Sequence, residues 1–188
     1  MNIFYLHNDP KQCAIWHVDK HVSKMLVEYA QLMSTAHRVL DGVEYTAYNA
    51  NNRRVKRWRL SNTNEENTIY KACHVNHPSA IWVRYSASNY TWLYQLWNEL
   101  HKEFQLRYGK QHRSYTLLQE FLIHPPKNIN TSISFNEPPQ AMKQFPECMV
   151  PGDSILAYRN FYRVAKKTFA NWKLREAPYW YEYPHNQL

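Results

Sequence analysis

Apolar residues recur at every third or fourth position from Asp19 to Arg38. Val22, Met25, Leu26, Tyr29, Leu32, Met33 and Ala36, followed by Val39, fall on one side of a 3.6-residue turn, which predicts a long helix with that side in a core. His21, Lys24, Glu28, Gln31, Thr35 and Arg38 keep the same rhythm elsewhere on the helix, so an acid, an amide, an imidazole and two cations share one ridge. Two readings of that ridge stand. It is either the solvated face of an amphipathic helix, with Lys24 and Glu28 an ordinary i,i+4 ion pair, or a row of groups that carries chemistry.

Residues 78–108 predict the other main helix. Pro78 suits a first helical position and Gly109 a left-handed C-cap, with Ile81, Tyr85, Ser88, Trp92, Leu96, Leu100 and Phe104 as the buried stripe. Trp82, Trp92 and Trp97 read as core. At the start of the chain, residues 2–7 read as a short strand or an extended arm, and Asn8 or Asp9 with Pro10 opens a short helix. Asp41-Gly42 is expected to end the first long helix with a left-handed residue. Periodicity then fails from Val43 to Asn67, where an exposed basic loop is expected, and Ser61 or Thr63 with Glu65 and Glu66 caps a short helix through Ile69, Tyr70 and Ala72. Asn76-His77-Pro78 makes a bend, because a residue before proline avoids the helical region.

Ser114 opens a further short helix that ends at His124-Pro125-Pro126. An irregular stretch to Gly152 follows, punctuated by Pro138, Pro139, Pro146 and Pro151. Asp153 caps a last helix reaching Trp172, with Arg159, Tyr162, Arg163 and Lys166 on a basic face. Four aromatics crowd residues 179–183, too many to leave bare unless they meet a ligand or lie along the body. The expected fold is mainly α, a single-domain helical bundle over residues 1–188 with a long irregular Pro-rich loop. In it the helices 20–40, 79–108 and 153–172 pack together.

Composition narrows the chemistry. Only 3 glycines stand against 15 tyrosines and 7 tryptophans, which argues against a glycine-punctuated β protein and against a disordered chain. A net charge of +8 favours a polyanionic partner, and Arg53, Arg54, Lys56, Arg57 and Arg59 around Trp58 have the composition of a phosphate-contacting segment. Cys13, Cys73 and Cys148 fit neither zinc spacing nor a disulfide framework. His17 and His21 have i,i+4 metal spacing, but Lys20 and Lys24 would crowd a cation; no metal and no cofactor are expected. Without an 18-residue apolar run or a recognisable leader, the expected place is the cytoplasm, that of the host if phage-encoded, with no membrane partner.

Several runs carry a resemblance. MNIFYLHN, MLVEYAQL, NHP, EFQLRYGK and WKLREAPYWYEY resemble, in order, segments of the pyrimidine-dimer DNA glycosylases of the phage endonuclease V type. The runs DKH, NHP, RYGK and YRNFY also resemble, nearly end to end, a group of bacteriophage proteins with no assigned chemistry. The glycosylase resemblance implies a DNA-bound base-excising enzyme in which an amine attacks the sugar as a Schiff-base nucleophile and an acid on the first helix stabilises the developing charge. It implies Glu28 as the acid and Arg84, Arg107, Arg159, Lys166 and Arg175 as phosphate contacts, with Tyr179, Trp180 and Tyr181 as stacking groups. The aligned helix puts Gln31 where the family has its glutamate. Asn2 is large enough to keep Met1 in place, leaving the α-amine of Met1, or Lys20 or Lys24, as the nucleophile.

DNA or a phosphate-bearing nucleotide is therefore the expected partner. The site is expected where His21, Lys24, Glu28 and Gln31 meet Asn76, His77 and the basic last helix, with Lys20, Arg84 and Tyr162 at its edge. A nucleotide-binding or nucleotide-processing protein, with His21 or His77 as a base, is the alternative. A non-enzymatic DNA-binding module is a third reading.

Overall fold

The computed structural model describes residues 1–182. Its elements are α1 (Pro10–Ile15), α2 (Asp19–Asp41), β1 (Val43–Tyr48), β2 (Arg54–Arg59), α3 (Thr63–Thr68), α4 (Pro78–Tyr85), α5 (Ala87–Tyr108), α6 (Arg113–Leu122), α7 (Ser154–Ala165) and α8 (Tyr179–Glu182). The chain is mainly α-helical with one small antiparallel sheet of two strands. Among the described residues no helix is long and apolar enough to cross a membrane.

Local chemistry starts most of the helices. Asp9 and Asp153 accept backbone N–H groups of Lys11 and Leu156, and the imidazoles of His77 and His112 do the same for Ser79 and Ser114. Gly109, at φ 67, closes α5 in the left-handed form its position predicted. The apolar side of α2 is buried against α4, α5 and α6, with Trp82, Trp92 and Trp97 in the same core. Trp97 donates its indole N–H to the Leu26 carbonyl at 2.8 Å, and the Tyr90 hydroxyl donates to the Leu122 carbonyl at 3.0 Å while meeting His37 Nε2 at 2.9 Å. These bonds fasten α2, α5 and α6 where apolar packing alone would leave buried polar atoms unpaired.

Several expectations are corrected. The 78–108 run is broken at Ser86, whose extended residue caps Asn89 N–H, while the Asn89 amide is held by the Trp82 carbonyl and by Asn136. The break turns α4, so that Ala80, Trp82 and Val83 face inward and Ile81 and Tyr85 are exposed. Gly42 is extended at φ −91, not left-handed; it is needed because a Cβ there would lie 2.5 Å from the Arg38 carbonyl oxygen. The supposed basic loop is a hairpin, β1 paired with β2 from Val43 opposite Arg59 to Tyr48 opposite Arg54. Asn62 rather than Ser61 or Thr63 caps α3, which stops at Thr68. The last long helix ends at Ala165 and gives way to a 3-10 turn, Lys167–Phe169.

Residues 2–7 form the extended arm, not a strand, and Ile3, Phe4, Tyr5 and Leu6 are all buried. Phe4 stacks on His21 of α2, centroids 4.1 Å apart, and packs on its other sides against Tyr158, Phe161 and Tyr162 of α7. Tyr29 on α2 accepts the Phe4 N–H, and Arg159 on α7 donates to the Leu6 carbonyl. So α7 meets the helical body through the arm and through the contact of Tyr162 with His21 on α2. In the crowded tail Trp180 is buried, and Tyr183 lies outside the described residues.

Candidate functional site

The arm delivers Met1 to the start of α4, where the Ser79 hydroxyl donates to the Met1 carbonyl at 2.9 Å. Beside it opens a cleft of about 460 Å³ lined by Met1, Asn2, His77, Met142, Lys143 and Phe161, among others. Four segments make this cleft: the arm, the His77 cap, the Pro-rich stretch and α7. Glu28 is reached through its ion pair with Lys24 at 3.2 Å, the lysine mostly exposed and the carboxylate mostly covered.

The electrostatics show which groups share the space. Burial lowers the His77 imidazole, the positive N-terminus and His74 add to the effect, and Glu28 opposes it. Burial raises the Cys73 thiol; Thr35, Arg57 and the N-terminus pull it down and Glu28 pushes it up. The α-amine and Glu28 thus both act on His77 and on Cys73, which puts the four groups within electrostatic reach of one another. The turn carrying them is held from two sides. Thr35 Oγ1 accepts from the Cys73 N–H and donates to its carbonyl, and Arg84 donates to the Val75 carbonyl at 2.7 Å. His74 occupies the left-handed region at φ 48, uncommon for a residue with a side chain, and its carbonyl accepts the His77 N–H at 2.8 Å.

Lysines lie on and near this cleft. Lys166 lies 4.4 Å above the Phe161 ring, its ammonium pKa lowered by burial and by Lys24. Lys20 sits 4.6 Å above Phe169, and Lys143 is exposed at the cleft. An anion entering here meets Lys143 and the amine of Met1, and no carboxylate lines the cleft among the described residues.

Of the residues singled out in the sequence, His77 lines the cleft; Glu28 acts on it electrostatically and pairs with Lys24, and Lys166 packs over the lining Phe161. Gln31 is half-buried one turn beyond Glu28, Asn76 is exposed on the His77 turn, and Arg84 supports that turn. Others are corrected. His21 is buried, bonded through Nδ1 to the Tyr162 hydroxyl at 2.7 Å, and lowered to about 2 by burial and by the charges of His17, Lys166 and Lys24. It is too weak a base for proton transfer at neutral pH, and Tyr162, equally buried, is its structural partner. Arg107 is enclosed and spends all five donors on Glu103, Asp19 and the carbonyls of Ile15 and His17, so it reaches no phosphate. Arg175 pairs with Glu103 at 2.6 Å.

Arg159 lies 5.1 and 5.4 Å from the ring centroids of Trp16 and Trp180, and the Trp180 carbonyl accepts from Arg163. Trp180 is therefore packing, and only Tyr179 of that run is well exposed. His17 bonds the Cys13 carbonyl and the Tyr29 hydroxyl. Among the described residues no three metal-ligating side chains converge.

Sequence reasoning missed Asn2, Met142, Lys143 and Phe145 of the cleft, and Cys73 and His74 of the turn. The length of the Pro-rich stretch was the available signal for the first group, since long irregular loops in compact proteins are commonly functional. Nothing local announced the left-handed His74. No family model, no curated protein and no solved structure matches this chain.

Proposed function

We propose that this cleft takes a nucleotide unit of DNA and performs glycosylase/lyase chemistry, with an amine as nucleophile and Glu28 as the charge-stabilising acid. What supports the reading is one juxtaposition: Met1, His77 and Lys143 line one cleft, and the Glu28 carboxylate, paired with Lys24, is within electrostatic reach of its His77. The scaffold in this reading is a single helical bundle built on α2, α4, α5 and α6.

The amine, that of Met1 or Lys24, adds to C1′ of the deoxyribose as the C1′–N bond breaks. The base leaves with the bonding pair and takes up a proton, and the ring opens to an imine. Glu28 stabilises the positive sugar; a carboxylate in a partly desolvated cleft does so more strongly than one in water. His77, neutral because burial lowers it, then takes the C2′ proton, and the 3′-phosphate departs as the second leaving group.

The test is borohydride trapping on a short abasic-site oligonucleotide, followed by peptide mapping of the adduct. An imine is reduced to a stable amine link, so intact-mass analysis should show one protein–DNA adduct, located at Met1 or Lys24 and reduced at least tenfold in Glu28→Gln. No adduct under conditions that trap a control lyase sinks the reading. A tightly held nucleotide without turnover would then favour the nucleotide-binding alternative.

A further inference from the structure

The β1–β2 hairpin takes no part in the chemistry above, and its charge is concentrated on one strand. Between Val43 and Arg59 it carries five cations against a single acid, Glu44. Strand alternation divides it into two faces. Tyr45, Ala47, Val55 and Arg57 are half-buried toward the body, where Arg57 donates to the Ala72 carbonyl. On the outer face Thr46, Tyr48, Arg54 and Lys56 are exposed, with Glu44 paired to Lys56 at 2.9 Å. Arg53 is exposed in the connecting turn.

The turn is organised. Asn49 accepts the N–H groups of both Asn51 and Arg53 through its side-chain oxygen, and Asn52 takes a left-handed conformation at φ 56. The tip is thus held by its own hydrogen bonds and presents Asn51 and Arg53 to solvent in a fixed frame. Six residues per strand make a ribbon about 20 Å long, with its strands about 4.8 Å apart. The major groove of B-DNA, about 12 Å wide, admits a two-stranded ribbon, and its base edges are read by arginine and asparagine. The deep, narrow major groove of an A-form duplex does not.

We infer that this ribbon is a docking element for B-form duplex DNA, entering the major groove with Asn51 and Arg53 at its tip while Arg54 and Lys56 meet phosphates. On its inner face Arg57 bonds the Ala72 carbonyl, four residues before the Asn76-His77 bend. The inference extends the DNA reading of the cleft, and it is tested without using the chemistry.

The experiment is fluorescence anisotropy with a 20-base-pair duplex across a salt series, comparing wild type with Arg53→Gln/Arg54→Gln/Lys56→Gln. All three side chains are exposed, so unfolding midpoints should match. The triple variant should bind at least tenfold more weakly. The slope of log affinity against log salt should fall by about 2, near 0.9 for each of the phosphate contacts of Arg54 and Lys56. Lys110→Gln/Arg113→Gln, exposed cations elsewhere, should bind as wild type. A major-groove dye, methyl green, should compete and the minor-groove ligand netropsin should not, while an A-form RNA duplex should bind at least tenfold more weakly. The inference is overturned if wild type does not bind the duplex, if the triple variant keeps wild-type affinity and slope, if netropsin alone competes, or if RNA binds equally well.

Borohydride trapping at saturating single-stranded abasic oligonucleotide separates the two readings. Trapping retained in the triple variant leaves the cleft chemistry standing whatever the ribbon does. Loss of duplex affinity without any trapping in wild type leaves the ribbon standing alone.

Discussion

Arg38→Met is the most informative single change to the scaffold. Arg38 is fully buried and uses all five of its N–H donors: Nε on the Tyr70 carbonyl, Nη1 on the Trp58 carbonyl and the Glu66 carboxylate, Nη2 on the carbonyls of Glu66 and Ile69. It thereby gathers the end of β2, all of α3 and the strand-like segment after it onto α2. Glu66 keeps two other donors, Lys71 and the Leu60 N–H, so its loss is the smaller part. Four carbonyls without a donor decide the cost, at about 1 kcal/mol each, for a total near 4 kcal/mol.

With a urea slope of about 2 kcal/mol per molar, the unfolding midpoint should fall by about 2 M. Arg38→Lys should recover less than half of that, because an ammonium has three donors and no planar fork. Far-UV circular dichroism in a urea series reads both. A loss below about 1 kcal/mol for the methionine variant, at unchanged slope, would refute the claim that this arginine is a structural hub.

Two further outcomes are expected. Burial holds His17 near 4, below the ordinary value of about 6.5, so between those pH values the unfolded chain binds the extra proton and stability falls as pH falls. The loss from His17 approaches about 3 kcal/mol at pH 4, and it precedes the protonation of Glu66, held to about 2 despite desolvation by the Leu60 N–H, Arg38 and Lys71. Urea midpoints that stay level from pH 7 to pH 4.5 would contradict this. Gly42→Ala should destabilise by about 1 to 3 kcal/mol because its Cβ meets backbone oxygen, whereas Gly109→Ala should cost about 1 kcal/mol from its left-handed φ alone, with open space around it; thermal melts rank the two.

What the sequence disclosed follows the range of the interactions. Asp9 and Asp153 act within three residues of themselves, and Gly109 within its own turn, so those helix ends were readable. The break at Ser86 was not, since 78–108 reads as continuous helix and the Asn89 amide that helps fix the break is held by Asn136, 47 positions away. The hairpin escaped because its five-residue connection lacks the Asn-Gly or Asp-Gly signal and its basic strand looked like a solvated loop.

The ridge on α2 divided in a way its spacing could not reveal. Lys24 and Glu28 pair with each other within electrostatic reach of His77, while His21, Thr35 and Arg38 are buried and bonded to residues 38 to 141 positions away, or 20 to 32 in the case of Arg38. Glu28, on the polar ridge of α2, and His77, at the bend before Pro78, could be named together from the sequence. That Met1 and the Pro-rich stretch would complete their cleft depended on where the arm was buried.

The buried arm also imposes an order on assembly. Residues 3–6 leave the ribosome long before α7, yet α7 is one wall of their slot, and the Arg159 that bonds Leu6 is synthesised 153 residues later. Until then the arm has α2 on one side and water on the other, with Phe4 exposed. Contacts of such separation are slow to close and unprotected while they wait. The cleft at Met1 is therefore a property of the finished fold: a nascent protein carries the amine, the acid and the imidazole from residue 77 until α7 is made, without the wall that makes them a site.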